Sequence, residues 1–393
     1  MRIPYRLSYL KAEGIYKLET ARLLHLQKKK KTVDVVPENR CSGCGGCKNI
    51  CPVDAVSLEE NDLGYLLPKV DKEKCIQCGL CLKGCPAVEK SFHNSNYVPK
   101  VYAVWAEDEV RKVSSSGGMF TLLAEWILEQ NGEVFGAAFT KDWEVAHTAI
   151  ERKEELEKLR GAKYVQSDTG LTYRKVKECL KDGRPVLFSG CPCQVSALKK
   201  FLGKEYDGLL TADLVCHGVP SRMVYRKYIE EVYGKENIES FSFRTKEKGY
   251  SCTVLEVKLK DGKVLYPSLK EKDPYEKAFH GSYALRKSCI NCKFAELPRQ
   301  GDFTIGDYWG ISLYDKGLND GKGTSVVLVN SKRAEDVLKK IGSKAKLLRE
   351  TPLEVAKKKN RFGAYVSVPR EREKFLVETK QNGFLEAVKK YLL

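Results

Sequence analysis

Eight of the chain's fifteen cysteines fall in two runs, Cys41, Cys44, Cys47 and Cys51, then Cys75, Cys78, Cys81 and Cys85, each run followed by proline. No other feature restricts the fold as much. In the spacing C-x2-C-x2-C-x3-C-P, three closely spaced thiolates hold one 4Fe-4S cluster and the fourth cysteine serves a neighbouring cluster. Cys41, Cys44, Cys47 and Cys85 are therefore expected on one cluster, and Cys75, Cys78, Cys81 and Cys51 on the other. Zinc also takes four thiolates, but its structural sites usually present two separated pairs. A small two-cluster module follows, with Val56 to Leu58 and Gly64 to Leu67 as short strands around a turn and only short helices.

The 393 residues suffice for two or three domains of ordinary size. A hydrophobic content of 42% excludes disorder as the main state. No run of eighteen apolar residues marks a spanning helix, and no apolar run near the start reads as a signal segment. The thiols are thus expected in a reducing cytoplasm, with any membrane contact peripheral. The net charge of +17 invites a nucleic-acid reading, but lysine and arginine are spread along the whole chain without a recognition motif. Cationic surface equally suits anionic cofactors or an acidic redox partner. Residues 1–38 read as a basic extension, in which apolar positions from Leu7 to Leu26 precede Lys28, Lys29, Lys30 and Lys31. A helix docking on a partner and a helix resting on its own domain both fit that pattern.

From residue 98 the composition turns ordinary, and alternating strand and helix patterns indicate an α/β core to about 235. Strands are expected at Val101 to Ala106, Gly132 to Phe139, Pro185 to Phe188 and 208–215. Helices are expected at Met119 to Gln130, Lys153 to Leu159, 171–181, 194–201 and 222–233. Residues 238–269 read as antiparallel strands, Thr324 to Val329 as a strand, 332–341 as a helix and 371–390 as a tail helix. The fold class is α/β: a mixed-sheet core with an additional antiparallel region (98–350), an N-terminal two-cluster ferredoxin-like domain (39–97) and a helical tail (351–393).

Four further cysteines, Cys193, Cys216, Cys289 and Cys292, sit in loops beside glycine, proline or histidine. Scattered buried thiols and convergence at strand ends both account for them at this level. Cys179 and Cys252 read as packing residues, and Cys191 shares the loop of Cys193. Ser114-Ser115-Ser116-Gly117-Gly118 precedes a helix, whose free N–H groups favour an anion. The segment lacks the G-x-G-x-x-G and Walker patterns, and a capped turn is the plainer account. Lys163-Tyr164-Val165-Gln166-Ser167 adds cationic, amide and hydroxyl groups, and Asp307 and Trp309 stand in a glycine-flanked turn. Of the five histidines, only His217, beside Cys216, lies in a suggestive loop. His25, His93, His147 and His280 read as surface or structural residues. No triad, HExxH or paired-carboxylate pattern supports hydrolysis.

In their order along the chain these segments resemble the family of beta subunits of coenzyme F420 hydrogenases and dehydrogenases, over roughly 40–350. The resemblance rests on the cysteine module, Ser114 to Gly118, Lys163 to Ser167, Gly190 to Gln194, Asp213 to Ser221, Ser288 to Cys292 and Gly306 to Gly310. It implies that the core binds FAD, contacted by Ser114, Ser115, Ser116, Gly117, Gly118, Lys163, Tyr164, Val165, Gln166 and Ser167 and framed by Asp307 and Trp309. A third 4Fe-4S cluster on Cys193, Cys216, Cys289 and Cys292 is implied as well. Cys191 departs from the pattern, since many members carry threonine there. The implied chemistry is hydride transfer from reduced coenzyme F420 to FAD. Electrons then pass singly through the clusters to ferredoxin or a partner redox subunit, in either direction. No catalytic acid or base is carried over, because ring placement governs such a transfer. Two other functions fit the same residues: an F420-independent flavin and iron–sulfur reductase of a polysaccharide or pigment pathway, and a non-enzymatic electron-transfer subunit.

Overall fold

The computed structural model describes residues 32–89, 97–250, 254–269, 273–360, 362–363 and 366–393. The basic segment before residue 32, His25, His93 and Cys252 lie outside the described residues.

Strands β1 (Val56–Glu60) and β2 (Leu66–Val70) pair antiparallel in the cysteine module, with Val56 opposite Val70. Its two helices, Gly46–Ile50 and Leu80–Lys83, are each entered through a left-handed glycine, Gly45 at φ 79° and Gly79 at φ 75°. A core this small is completed by thiols. Cys47, Cys51, Cys81 and Cys85 pack with Val33, Val36, Leu82 and Val88.

The central strands are β3 (Lys100–Trp105), β4 (Glu133–Phe139), β5 (Val145–Ile150), β6 (Val186–Gly190) and β7 (Leu209–Leu214). A separate three-stranded sheet holds β8 (Ile238–Thr245), β9 (Val254–Leu259) and β10 (Val264–Leu265), after which β11 (Phe303–Asp307), β12 (Ser325–Val329) and β13 (Leu347–Thr351) return to the large sheet. Its order is β13-β3-β12-β11-β7-β6-β4-β5. β4, β6, β7 and β11 run parallel, and the flanking pairs are antiparallel. Every residue of β6 and β12 is buried, as apolar runs covered on both faces require. The helices Met119–Leu128 and Lys332–Ile341 pack on one face through Leu122, Leu123, Ile127 and Val337. Thr172–Lys181 and Pro192–Leu202 pack on the other through Tyr173, Val176, Val195 and Leu198.

Four expectations need correction. The α/β core does not end near 235, because β11, β12 and β13 insert beside β7 and β3. β5 and β13 lack the strict apolar–polar alternation that announces a strand, and pairing with a neighbour decides their state. Lys153 to Leu159 is one 3-10 turn and one α turn rather than a full helix. The tail is two helices, Arg372–Asn382 and Phe384–Tyr391, broken at Gly383, where the Glu231 carboxylate accepts the N–H groups of Phe384 and Leu385. Among the described residues no helix is long and apolar enough to cross a membrane.

The cysteine module is locked to the core by buried polar contacts. Arg286, 1% exposed, donates Nε to Cys41 O (2.8 Å), Nη1 to Gln166 Oε1 (2.9 Å) and Nη2 to Leu66 O (2.6 Å). Tyr173 Oη donates to Cys44 O at 2.6 Å, and Arg174 reaches Asn49 O and Cys51 O at 2.8 and 2.7 Å.

Candidate functional site

Ligands of open α/β sheets bind beyond the carboxyl ends of parallel strands. Here the segments at the ends of β6, β7 and β11, with Gly136 and Ala137 of β4 and the stretch 159–167 after β5, wall a cleft with about 750 Å³ of free space. The Ser114–Gly118 loop is pinned along one side. Lys246 Nζ donates to Ser116 O (2.5 Å) and Arg111 O (2.6 Å), Ser115 Oγ accepts from Ala162 N (2.8 Å), and Ser116 Oγ donates to Thr324 O (2.9 Å). Gly118, at φ 92°, then turns the chain into the helix Met119–Leu128, whose first residues face the cleft. Ser114, Ser115, Ser116 and Gly118 line the cleft and Gly117 does not. A Cβ on Gly117 would stand 2.1 Å from Val104 O, so glycine is needed there for close approach to the sheet.

Lys163, Tyr164, Val165, Gln166 and Ser167 all line the cleft, but they serve it differently. Lys163 Nζ donates to the carbonyls of Arg160 (2.7 Å) and Lys158 (3.2 Å), and burial pushes its ammonium down to about 7. It therefore braces its own loop. Tyr164 stacks on Phe279 at 4.6 Å, and burial pushes its phenol up to about 12. Gln166 accepts from Arg286 and faces the Ser42 and Gly43 carbonyls, which joins the cleft to the cysteine module. Asp307 is held by Arg244 and by Tyr250 Oη (2.6 Å), and Trp309, 44% exposed, lies parallel to the Tyr250 ring at 6.5 Å.

Two cleft residues escape the sequence reading. His147, expected at the surface or in a structural role, is buried in the wall, with Nδ1 2.7 Å from Ser167 Oγ and Nε2 3.2 Å from Ser189 O. Because a carbonyl only accepts, Nε2 carries the proton and Nδ1 accepts from Ser167. Burial pushes this imidazole down to about 4, so it is neutral near pH 7. Arg160 also lines the cleft and donates Nε to Thr121 Oγ1 (3.1 Å) in the first turn of Met119–Leu128. A cation beside a helix N-terminus favours an anion. Only an arginine next to Gly161 could have hinted at it.

Cys193, Cys216, Cys289 and Cys292 converge on one pocket, together with Cys191, Ser288 and Arg299. The loop carrying Cys292 is clamped to the end of β7 by Arg299 and Asp213, 1% and 0% exposed, which pair at 3.0 Å. The other Asp213 oxygen accepts from Gln300 N and Gly301 N. Arg299 is a further residue the sequence does not single out. Cys41, Cys44, Cys47 and Cys85 line another hollow, walled by Val33, Val36 and Leu58. Cys81 lies in the same core as Cys51 and Cys75, and Cys78 is exposed. Burial pushes the Cys85 and Cys289 thiols up to about 12, so binding a metal there releases their protons. Among the described residues no three His, Cys, Asp or Glu side chains close on a point small enough for a single metal ion. The thiols of the two sets line hollows.

Residues 40–88 match a 4Fe-4S dicluster domain. Residues 101–171 and 183–355 match the N-terminal and C-terminal models of the coenzyme F420 hydrogenase/dehydrogenase beta subunit. A coenzyme F420-dependent sulfite reductase of Methanocaldococcus jannaschii is 32% identical over 312 residues, 77% of this chain and 46% of that protein. One subunit of the F(420)H(2) dehydrogenase of Methanosarcina mazei is 26% identical over 180 residues, 43% of this chain and 50% of that one. The chain thus spans about half the length of each of these two relatives. A chain of the F420-reducing [NiFe] hydrogenase complex from Methanosarcina barkeri aligns with a TM-score of 0.45 at 18% identity, covering 76% of this chain and 94% of that chain. With the dicluster module and both beta-subunit segments matched in order, the chain belongs to the family of coenzyme F420 hydrogenase/dehydrogenase beta subunits.

Proposed function

We propose that this chain is an F420-dependent oxidoreductase. It takes a hydride equivalent from reduced coenzyme F420 and passes the electrons singly to ferredoxin or a partner redox subunit, or runs in reverse. In this reading the cleft holds FAD, and three 4Fe-4S clusters sit on Cys41, Cys44, Cys47 and Cys85, on Cys75, Cys78, Cys81 and Cys51, and on Cys193, Cys216, Cys289 and Cys292. One observation carries it. Cys191, Cys193, Cys216, His217, Gly218 and Val219 wall both the cleft and the third thiol pocket, so a flavin and a cluster would be neighbours.

Bound FAD would supply the exchange between paired and single electrons, and the clusters the one-electron path onward. The chain's own residues fit these groups. Arg160 and the start of Met119–Leu128 would meet the dinucleotide phosphates. Asn360 Oδ1, on the cleft wall, and Ser288 Oγ, on the thiol pocket, are buried without a hydrogen-bond partner, and a bound cofactor would give them one. The stacked Tyr164 and Phe279 rings give the cleft an aromatic wall, Asp307 fixes the Arg244 guanidinium, and neutral His147 adds no charge. Exposed Cys78 and Ile76, the latter 61% exposed, would put the second ferredoxin-like cluster within reach of an acceptor.

The test is anaerobic absorption of FAD- and iron-replete protein during stoichiometric addition of reduced coenzyme F420. Flavin and cluster bands are expected to bleach together. Bleaching by NADH or reduced ferredoxin instead would favour the F420-independent reductase, and a protein that retains iron but no FAD would be an electron-transfer subunit.

A further inference from the structure

The third thiol pocket contains one cysteine more than a cluster uses. A 4Fe-4S cluster takes four thiolates, yet Cys191, Cys193, Cys216, Cys289 and Cys292 all line this pocket. Cys191 occupies the cap position of the helix Pro192–Leu202. Its sulfur accepts from the Gln194 N–H, while Gln194 Oε1 accepts from the Cys191 N–H at 2.9 Å. Serine, threonine, asparagine or aspartate stabilise such a position better, and sulfur is a weak acceptor. Capping alone therefore does not account for a cysteine here.

The second observation is a distance. Cys191 Sγ lies 3.8 Å from Cys216 Sγ. At a metal–sulfur bond of about 2.3 Å, sulfurs so spaced span one edge of a tetrahedron around a single metal. Two thiols at that spacing would reach one iron position rather than two different ones. In a cubane three positions of each iron are filled by sulfide, which leaves one for a thiolate, so Cys191 and Cys216 compete for it.

We propose that Cys191 is an alternate ligand for the iron that Cys216 serves, and that the third cluster has an exchangeable fifth cysteine. When Cys191 takes over, its Fe–S bond forms as its thiol proton leaves for solvent, Cys216 regains a proton as its own Fe–S bond breaks, and no electron moves. Both residues belong to the wall shared with the cleft, so either ligation would keep the cluster beside it.

The inference rests on the third-cluster reading, and the experiment separates the two. Iron content and low-temperature EPR of the anaerobically reduced protein are compared for Cys191→Thr, Cys216→Ala, the Cys191→Thr/Cys216→Ala double variant, and Cys289→Ala/Cys292→Ala. Threonine preserves the cap, so Cys191→Thr is expected to keep full iron. Cys216→Ala keeps full iron too, with an altered EPR signal, while the Cys191→Thr/Cys216→Ala variant loses one to about four irons per chain. Iron loss in Cys216→Ala alone, or equal iron in Cys216→Ala and the double variant, overturns the proposal. Full iron in Cys289→Ala/Cys292→Ala overturns the third cluster itself.

Discussion

Replacing Arg286 by methionine tests how the cysteine module is attached to the core. The methionine stem can still pack near Tyr65, but three hydrogen bonds vanish, to Cys41 O, Leu66 O and Gln166 Oε1. Each bond to a charged donor contributes about 1.5–3 kcal/mol. Taking the low end, because the Gln166 amide can turn to another partner, docking weakens by about 4 kcal/mol. At 1.36 kcal/mol per factor of ten, the opening constant rises roughly a thousandfold. Hydrogen exchange read by mass spectrometry on anaerobic, cluster-replete protein should show this in peptides spanning 41–49 and 66–70, with peptides of β6 and β12 unchanged. Acceleration of less than about threefold would refute the reasoning and leave the attachment to Tyr173 and Arg174.

Three other perturbations follow from the same geometry. His147 has an ordinary value of 6.5 and is held at about 4. The unfolded chain therefore takes the proton first as pH falls, and stability drops between 6.5 and 4 by about 2 kcal/mol at pH 5. His147→Asn should lose that part of the acid slope, measured as the thermal midpoint at pH 7 against pH 5; identical slopes would deny the burial effect. Gly45→Ala places a Cβ 2.0 Å from Thr169 Oγ1 at φ 79°, adding about 1–2 kcal/mol of backbone strain to the clash. A lower thermal midpoint and loss of iron are expected, partly restored by Thr169→Ala. Ser114→Trp fills the cleft wall, so flavin content should fall well below one per chain at constant iron, and unchanged flavin would count against the loop's role.

Much of the module was legible from spacing alone. Thiols three residues apart are neighbours by chain connectivity, and Cys41, Cys44 and Cys47 line one hollow together with Cys85. The strands and helices of the parallel core were likewise readable, because short apolar runs between turn residues, such as Val186 to Phe188, state their burial directly. Loop chemistry was legible as residue type, whereas what each residue does there was not. Lys163 braces carbonyls, Asp307 holds Arg244, and Gly117 serves the sheet.

By itself the sequence determined the dicluster spacing of the thiols, where most of the strands and helices lie, and which loops carry polar chemistry. These depend on separations of a few residues, which bond geometry limits. Only the tertiary structure decided that β3 lies between β12 and β13, that His147 and Arg160 enter the cleft, and that Cys191 meets Cys216. Such contacts join segments tens to hundreds of residues apart, so they are settled by which surfaces pack together rather than by any local pattern.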